Sequence, residues 1–447
     1  MKKIQTQKPT RVRFTILAAI FVNVVINYMD RSNISVAASM ISDDLKLTSV
    51  QLGYIFSAFG WTYALLQIPG GIMADRLGPR IIYTITLILW SLVTVAQGFA
   101  KSFAVLFGLR MAIGVFEAPS YPTNNRIVTS WFPDKERASA IAIYTSGQFV
   151  GLAFLIPALT ALQHYTGWKG LFIITGIIGI AWGIIWYFFY RDPVDHKKIN
   201  EAELQYIEEG GGLINRKEGS NKSANEPFKW RDLKEVFQHK KLWGIYLGQF
   251  CLGATMWFFL TWFPTYLVKY RGMDFLKSGF LASVPFLAAF VGVLLAGFLS
   301  DYMIRRGISA GVARKTPVIT GLLLSVSIIG ANYVDSPALI TLFMCLSFFG
   351  NGFASITWVF VSTLAPKHLL GLTGGVFNFI GGLSAIVIPV VIGYLVSGGN
   401  FAPALVFVSI LSIAGALCYI FLVGKVERIT IKIDSLDDDK LLITKSQ

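Results

Sequence analysis

Gly70–Arg80 reads GGIMADRLGPR, and Gly297–Gly307 reads GFLSDYMIRRG. Each stretch sets a glycine four residues ahead of an acid, Gly71 before Asp75 and Gly297 before Asp301, with arginines close behind. Each follows one long apolar run, 50–74 or 276–300, and precedes another, 81–99 or 313–333. One such loop is only a helix end, a turn and some surface cations. Two, at matching places in the two halves of a chain, indicate an internal repeat.

Working outward from these loops, the apolar runs continue in both directions. Twelve are long enough to cross about 30 Å of hydrocarbon: 14–38, 50–74, 81–99, 102–125, 137–161, 168–190, 242–268, 276–300, 313–333, 337–361, 369–397 and 402–424. The chain is 54% hydrophobic and 14% charged, too little charge for an ordinary soluble domain. The predicted fold class is an all-α membrane protein with twelve transmembrane helices in two six-helix halves. The halves are 1–190 and 242–424. Between them lies a polar loop, 191–241, and after them a tail, 425–447, which carries Asp437–Asp439 and reads as solvated. In the loop, Asn200 followed by Glu203 predicts a capped surface helix through Glu209. The first span is too long for a cleaved signal and should remain as a helix.

A net charge of +14 would suggest nucleic acid in a soluble protein. Here it follows topology, and no nucleic-acid partner is expected. The N-terminal segment holds Lys2, Lys3, Lys8, Arg11 and Arg13, and the loops after spans two and eight hold Arg76, Arg80, Arg305, Arg306, Arg314 and Lys315. The alternate loops are poorer, apart from Lys269, Arg271 and Lys277. The excess of cations on one side predicts that both termini are cytoplasmic.

Four ionisable residues sit inside the apolar runs: Asp30, Arg31, Arg110 and Glu117. A charge at bilayer depth costs at least ~2.5–3.5 kcal/mol unless it has a partner or a wet cavity. Helical rise puts Asp30 and Arg110 at similar depth, so an Asp30–Arg110 pair is geometrically available. Glu117, seven residues after Arg110, lies on the same face two turns closer to the cytoplasm. Such a cluster can simply lock helices together. It can also move protons, because burial favours the neutral form of a carboxyl and a nearby guanidinium favours the charged one. His164, His196, His239 and His368 all fall in loops or at span ends, which leaves the carboxylates as the intramembrane proton carriers.

Arg110 and Arg31 suit a carboxylate ligand, since guanidinium offers fixed paired donors. The less favoured alternative for Arg31 is a local counter-ion for Asp30. Spans seven to twelve have no charged residue in their interiors. They offer hydroxyls, amides and an indole instead, at Ser355, Thr357, Trp358 and Asn378, and the first half adds Tyr28, Tyr63 and Gln148. A ligand with one carboxylate and several hydroxyls fits this asymmetry. Pattern alone does not choose among these polar residues, each of which could only pack helices. Pro119 and Pro122 should kink span four just after Glu117. No Walker loop, metal-spaced His/Cys set or nucleophile–base pair is present in the sequence, so neither an enzyme nor a bound cofactor is expected, only protons as coupling ion.

Several long runs carry a resemblance: NYMDRSNISVA (Asn27–Ala37), FSAFGWTYALLQIPGGIMADRLGPR (Phe56–Arg80), GLRMAIGVFEAPSYPTNNRIVTSWFP (Gly108–Pro133), YTSGQFVGLAF (Tyr144–Phe154), FLTWFPTYL (Phe259–Leu267), GNGFASITW (Gly350–Trp358) and GLTGGVFNFIGG (Gly371–Gly382). The chain resembles the anion:cation symporter family of the major facilitator superfamily over nearly its whole length. The resemblance implies a proton-coupled symporter that imports a sugar acid, D-galactonate foremost, through a bacterial inner membrane by alternating access. Hexuronate, glucarate or another organic anion are alternative substrates, and a passive anion facilitator is an alternative mechanism. The implied roles are proton coupling at Asp30 and Glu117, with Arg110 as partner of Asp30. Substrate binding is implied at Arg31, Arg110, Tyr28, Tyr63, Gln148, Ser355, Thr357, Trp358 and Asn378. Gating is expected in the loops of Gly71, Asp75, Arg76 and Asp301. The working unit is expected to be a monomer. Pro79 and the acidic tail depart from the family pattern, both far from the site.

Overall fold

The computed structural model describes residues 8–214, 230–366 and 369–429. The Ser220–Asn225 run, His368 and the acidic tail lie outside these residues, and so does the side chain of Asp75. Every regular element among the described residues is helical. The first three crossings are α1 (Val12–Asp44), α2 (Ser49–Leu77) and α3 (Pro79–Gln97). Next come α4 (Phe103–Trp131) and a 56-residue helical run, Asp134–Phe189. Gly167, with φ 69°, divides that run into α5 (134–166) and α6 (168–189). The second half comprises α7 (Lys240–Tyr270), α8 (Phe275–Arg305), α9 (Ala310–Tyr333), α10 (Pro337–Leu364), α11 (Leu370–Leu395) and α12 (Ala402–Leu422). Each is long enough to span hydrocarbon. An even number of crossings puts both described ends on one side, hereafter the terminal face.

Each repeated loop turns at a glycine, although α3 follows α2 directly after Gly78 while residues 306–309 separate α8 from α9. After α2 the chain turns at Gly78, φ 82°, and after α8 it turns at Gly307, φ 84°. Both take the positive φ that a residue without Cβ adopts at no steric cost. Pro79 then occupies the first position of α3, where its missing N–H is not needed. Several helices depart from regularity, three of them next to residues of the candidate site. α4 breaks between Glu117 and Ser120, at Pro119. α10 tightens to a 3-10 turn at Ser355–Thr357, with Ile356 at ψ 17°. α11 is interrupted at Leu383.

The halves touch on the side opposite the terminal face. There α2 packs on α11 so closely that a Cβ at Gly53 would stand 2.6 Å from the Pro389 carbonyl oxygen, and one at Gly393 2.7 Å from that of Ser49. α5 meets α8 in the same way at Thr160 and Gly279. Phe56 meets Trp262 edge-on at 5.3 Å, and Lys269 reaches Asp43 at 2.7 Å. Along α11 toward the terminal face the seam opens. A Cβ at Gly382 would lie 3.9 Å from Ala64, and one at Gly375 or Gly371 would meet nothing within 4 Å. The result is a cleft between the halves, closed at the far face and open at the terminal face.

The surface helix forms where expected, Glu201–Glu209, with Asn200 Oδ1 accepting from the Glu203 amide at 2.9 Å. Glu203 does something the sequence did not suggest. It is fully buried and caps α1: its carboxylate accepts from the amides of Val12 (3.1 Å) and Arg13 (3.3 Å), from the Thr10 hydroxyl (2.6 Å) and from Arg13 Nη1 (2.9 Å). Arg13 also pairs with Glu136 of α5 at 3.0 Å, and the Tyr206 hydroxyl donates to Glu136 at 2.6 Å. The middle loop is thereby tied to the base of the first half.

Candidate functional site

Consecutive residues on an α-helix point about 100° apart. Asp30 and Arg31 therefore leave α1 in different directions. Arg31 turns toward α4 and the cleft. Its Nε donates to Glu117 Oε1 at 2.6 Å, and its Nη2 lies 2.5 Å from the same oxygen. The guanidinium sits within 4.9 Å of the Tyr28 ring, 4.8 Å of Phe59 and 4.7 Å of Tyr63. These π-faces favour the cation in a site with little water. Glu117 is completely buried, and its Oε2 has no partner among the described residues.

Asp30 turns the other way, toward α3. Its Oδ2 accepts from Trp90 Nε1 at 3.0 Å and its Oδ1 from Asn33 Nδ2 at 3.4 Å. Arg110 reaches α1 but donates to the main-chain carbonyl of Asp30, at 3.4 Å. The expected side-chain pair of Asp30 with Arg110 is thus not formed, and Arg31 is not the counter-ion of Asp30. The four charges do lie together, but the pairing expected from the sequence does not form, because depth along a helix says nothing of azimuth.

The remaining polar residues divide between the two walls of the cleft. In the first half the Tyr28 hydroxyl donates to Gln148 Oε1 at 2.7 Å, beside Arg31. In the second half, Thr357 donates to Gln249 Oε1 of α7 at 2.8 Å. Trp358 is 50% exposed and meets Phe377 edge-on, Asn378 is exposed, and Ser355 is half-buried at the break in α10. Among the described residues no hydrogen bond joins the two sets. Gln249 was missed in the sequence, although it is the one amide side chain inside span seven. Trp90 and Asn33 were missed too; Asn33, three residues after Asp30, carried the signal. The gating residues lie apart from this cluster. Gly71 packs near Pro122, at 3.6 Å for a Cβ, and Arg76 and Asp301 are exposed on the terminal side.

His164, His196 and His239 stay outside the cluster. His196, in the loop after α6, meets Trp131 edge-on at 5.4 Å. Partial burial, then Lys198 and Arg191, hold it below the ordinary histidine range.

This arrangement of two six-helix halves around a central cleft has recognisable relatives. Residues 20–379 match the family model of the Major Facilitator Superfamily. The chain belongs to the Major Facilitator Superfamily. As a superfamily member it is a transporter and not an enzyme. It is 54% identical over 426 residues to the "D-galactonate transporter" of Escherichia coli O6:H1, covering 95% of this chain and 99% of that one. It is 43% identical to a "Probable galactarate/D-glucarate transporter" of Bacillus subtilis, covering 97% of each. The fold is similar to that of a bacterial homolog of the human lysosomal transporter Spinster, with TM-score 0.74, 20% identity, and 92% of this chain and 96% of that one covered. It is also similar to the D-xylose-proton symporter, with TM-score 0.71, 13% identity, and 92% and 98% covered.

Proposed function

We propose that this facilitator imports a sugar acid together with protons across a bacterial inner membrane, and that D-galactonate is its substrate. One observation carries the reading: the buried Arg31–Glu117 pair at the closed end of the cleft. While Glu117 is ionised it occupies the guanidinium. A proton on Glu117 removes that competitor and leaves Arg31 with free donors for a substrate carboxylate. Proton and anion then load together, as symport requires. The second half, which has no charge in its interior, offers hydroxyl, amide and indole groups at Ser355, Thr357, Gln249, Trp358 and Asn378 to the polyol chain. A monocarboxylate fits this distribution better than the dicarboxylates named for the relatives near 43% identity, because only one wall carries cations.

The cation excess of the loops assigns the terminal face to the cytoplasm. On that assignment the structure corresponds to an inward-facing state and both termini are cytoplasmic. Transport follows from rocking the halves about the central site, each monomer working alone, with the loops of Gly71, Asp75, Arg76 and Asp301 rearranging on the cytoplasmic side.

The test is purified protein in liposomes. Labelled D-galactonate should accumulate only with an inward proton gradient or voltage, and unlabelled aldonates should compete better than uronates or aldarates. Equal filling without any gradient sinks symport. Stronger competition by glucarate than by galactonate reassigns the substrate.

A further inference from the structure

Asp30 raises a question that the cleft does not answer. Its carboxylate is 0% exposed and faces Trp90 of α3, away from the substrate groups. If it carries a proton, the proton needs a path. The seam where α1, α3 and α6 meet contains one chemically suited to it. Asn33 Nδ2, which touches Asp30, also donates to Thr175 Oγ1 of α6 at 2.8 Å. On α3, Trp90, Thr94 and Gln97 follow at i, i+4 and i+7 and share one buried face. Gln97 is the last residue of α3, at the far face, and is fully buried. Neither the oxygen nor the nitrogen of its amide has a partner among the described residues, and Asn33 Oδ1 has none either.

A buried amide with nothing to bond is costly, and proteins meet that cost with internal water. From Trp90 to Gln97 the helix rises about 10 Å, the reach of roughly three hydrogen-bonded waters. The geometry points to this seam as a proton inlet: protons reach Asp30 from the far face along water held by Gln97, Thr94, Asn33 and Thr175, inside the first half, while the substrate uses the cleft. The inference rests on the proton-coupled reading above and adds a route to it. Chemically the step is simple. A hydronium at the outer surface gives up a proton, the proton hops along the waters, and it lands on a carboxylate oxygen of Asp30, which becomes a neutral acid. The charged groups around Asp30 are Arg110 from α4, its neighbour Arg31 and, beyond, Glu117. α3 and α6 bring only Arg80 and Lys169, each near a helix end. An otherwise uncharged seam lets a proton pass without being trapped on another base.

The experiment uses the full protein in liposomes with labelled D-galactonate and a trapped pH dye. Gln97→Leu and the isosteric Thr94→Val should slow gradient-driven uptake and dye acidification about tenfold, the weight of one lost relay hydrogen bond. Exchange of galactonate for galactonate at equal pH should stay within about twofold, since loaded carriers need no new proton. Gln97→Asn should restore most of the rate. The inlet is overturned if the variants keep wild-type proton-driven uptake, or if uptake and exchange fall together in protein of unchanged thermal stability. Should Gln97→Leu fail to fold, Thr94→Val carries the test alone. If wild-type protein moves no protons with galactonate, the symport reading fails, and that outcome is distinct from a coupled wild type with unaffected variants.

Discussion

Arg31 and Glu117 meet with both guanidinium contacts on one carboxylate oxygen, at 2.5 and 2.6 Å, leaving the second oxygen without a partner among the described residues. The pair is therefore held but not saturated. It can be opened by a proton on one side or challenged by an incoming carboxylate on the other.

Glu117→Gln should separate binding from coupling. With no competing charge on Arg31, binding of galactonate at neutral pH should tighten about tenfold, the equivalent of about 1.4 kcal/mol. Wild-type affinity should rise as pH falls, because protonation of Glu117 frees Arg31. The variant's affinity should change much less over the same range. Net accumulation against a gradient should be lost. Calorimetric titration across pH, together with vesicle uptake, reads all three, and wild-type accumulation by the variant would mean that the proton does not travel on Glu117.

Arg31→Ala should abolish binding and also destabilise the protein, because it leaves a buried carboxylate alone, at roughly 3–5 kcal/mol. Arg31→Ala with Glu117→Ala should regain most of the thermal stability and none of the transport. A double variant as unstable as the single one would argue against a direct pair.

Gln249→Ala should weaken binding of polyhydroxylated acids more than of short acids such as lactate. Its partner Thr357 is left without an acceptor, and a site that bonds hydroxyls discriminates by leaving polar groups unpaired. Equal losses for both ligand classes, measured by competition, would restrict Gln249 to packing.

Gly53→Leu should hold the far face open. A Cβ there already stands 2.6 Å from the Pro389 carbonyl oxygen, closer than any relaxed contact. Spin labels at positions 43 and 269, whose native side chains touch, should move apart, and substrate should still bind from that side. An unchanged label distance would show that α2 and α11 can slide to accept the bulk.

Glu203→Ala should cost the protein roughly 3–5 kcal/mol, toward the lower end because Arg13 keeps Glu136. Glu203→Gln should recover part of this through the amides of Val12 and Arg13. Chemical denaturation of the detergent-purified protein measures it. A denaturation midpoint unchanged in Glu203→Ala would mean that water replaces the cap without loss.

Much of this was legible in the chain. Apolar length fixes helices, and the echo of Gly71–Asp75 in Gly297–Asp301 reveals the repeat, each loop turning at a glycine of positive φ. The four core charges were legible because lipid makes each of them expensive. Their pairing was not. Asp30 and Arg31 are neighbours in sequence and face different helices, a fact set by how α1 is rotated against α3 and α4. Nor does the sequence announce the break at Ser355–Thr357, which has no proline and depends on what packs around it. The reach of Glu203 to α1 spans 190 residues, beyond any local pattern.

The uncharged interior of the second half bears on the membrane voltage. Two guanidiniums and two carboxylates sum to zero, and all four ride on the first half. An empty carrier with its core ionised therefore returns without moving net charge across the field. A monoanion with one proton is also neutral. Each proton beyond the first adds one elementary charge, worth about 2.3 kcal/mol per 100 mV. The current carried per galactonate thus counts the protons beyond the first, with no correction for the protein's own charges.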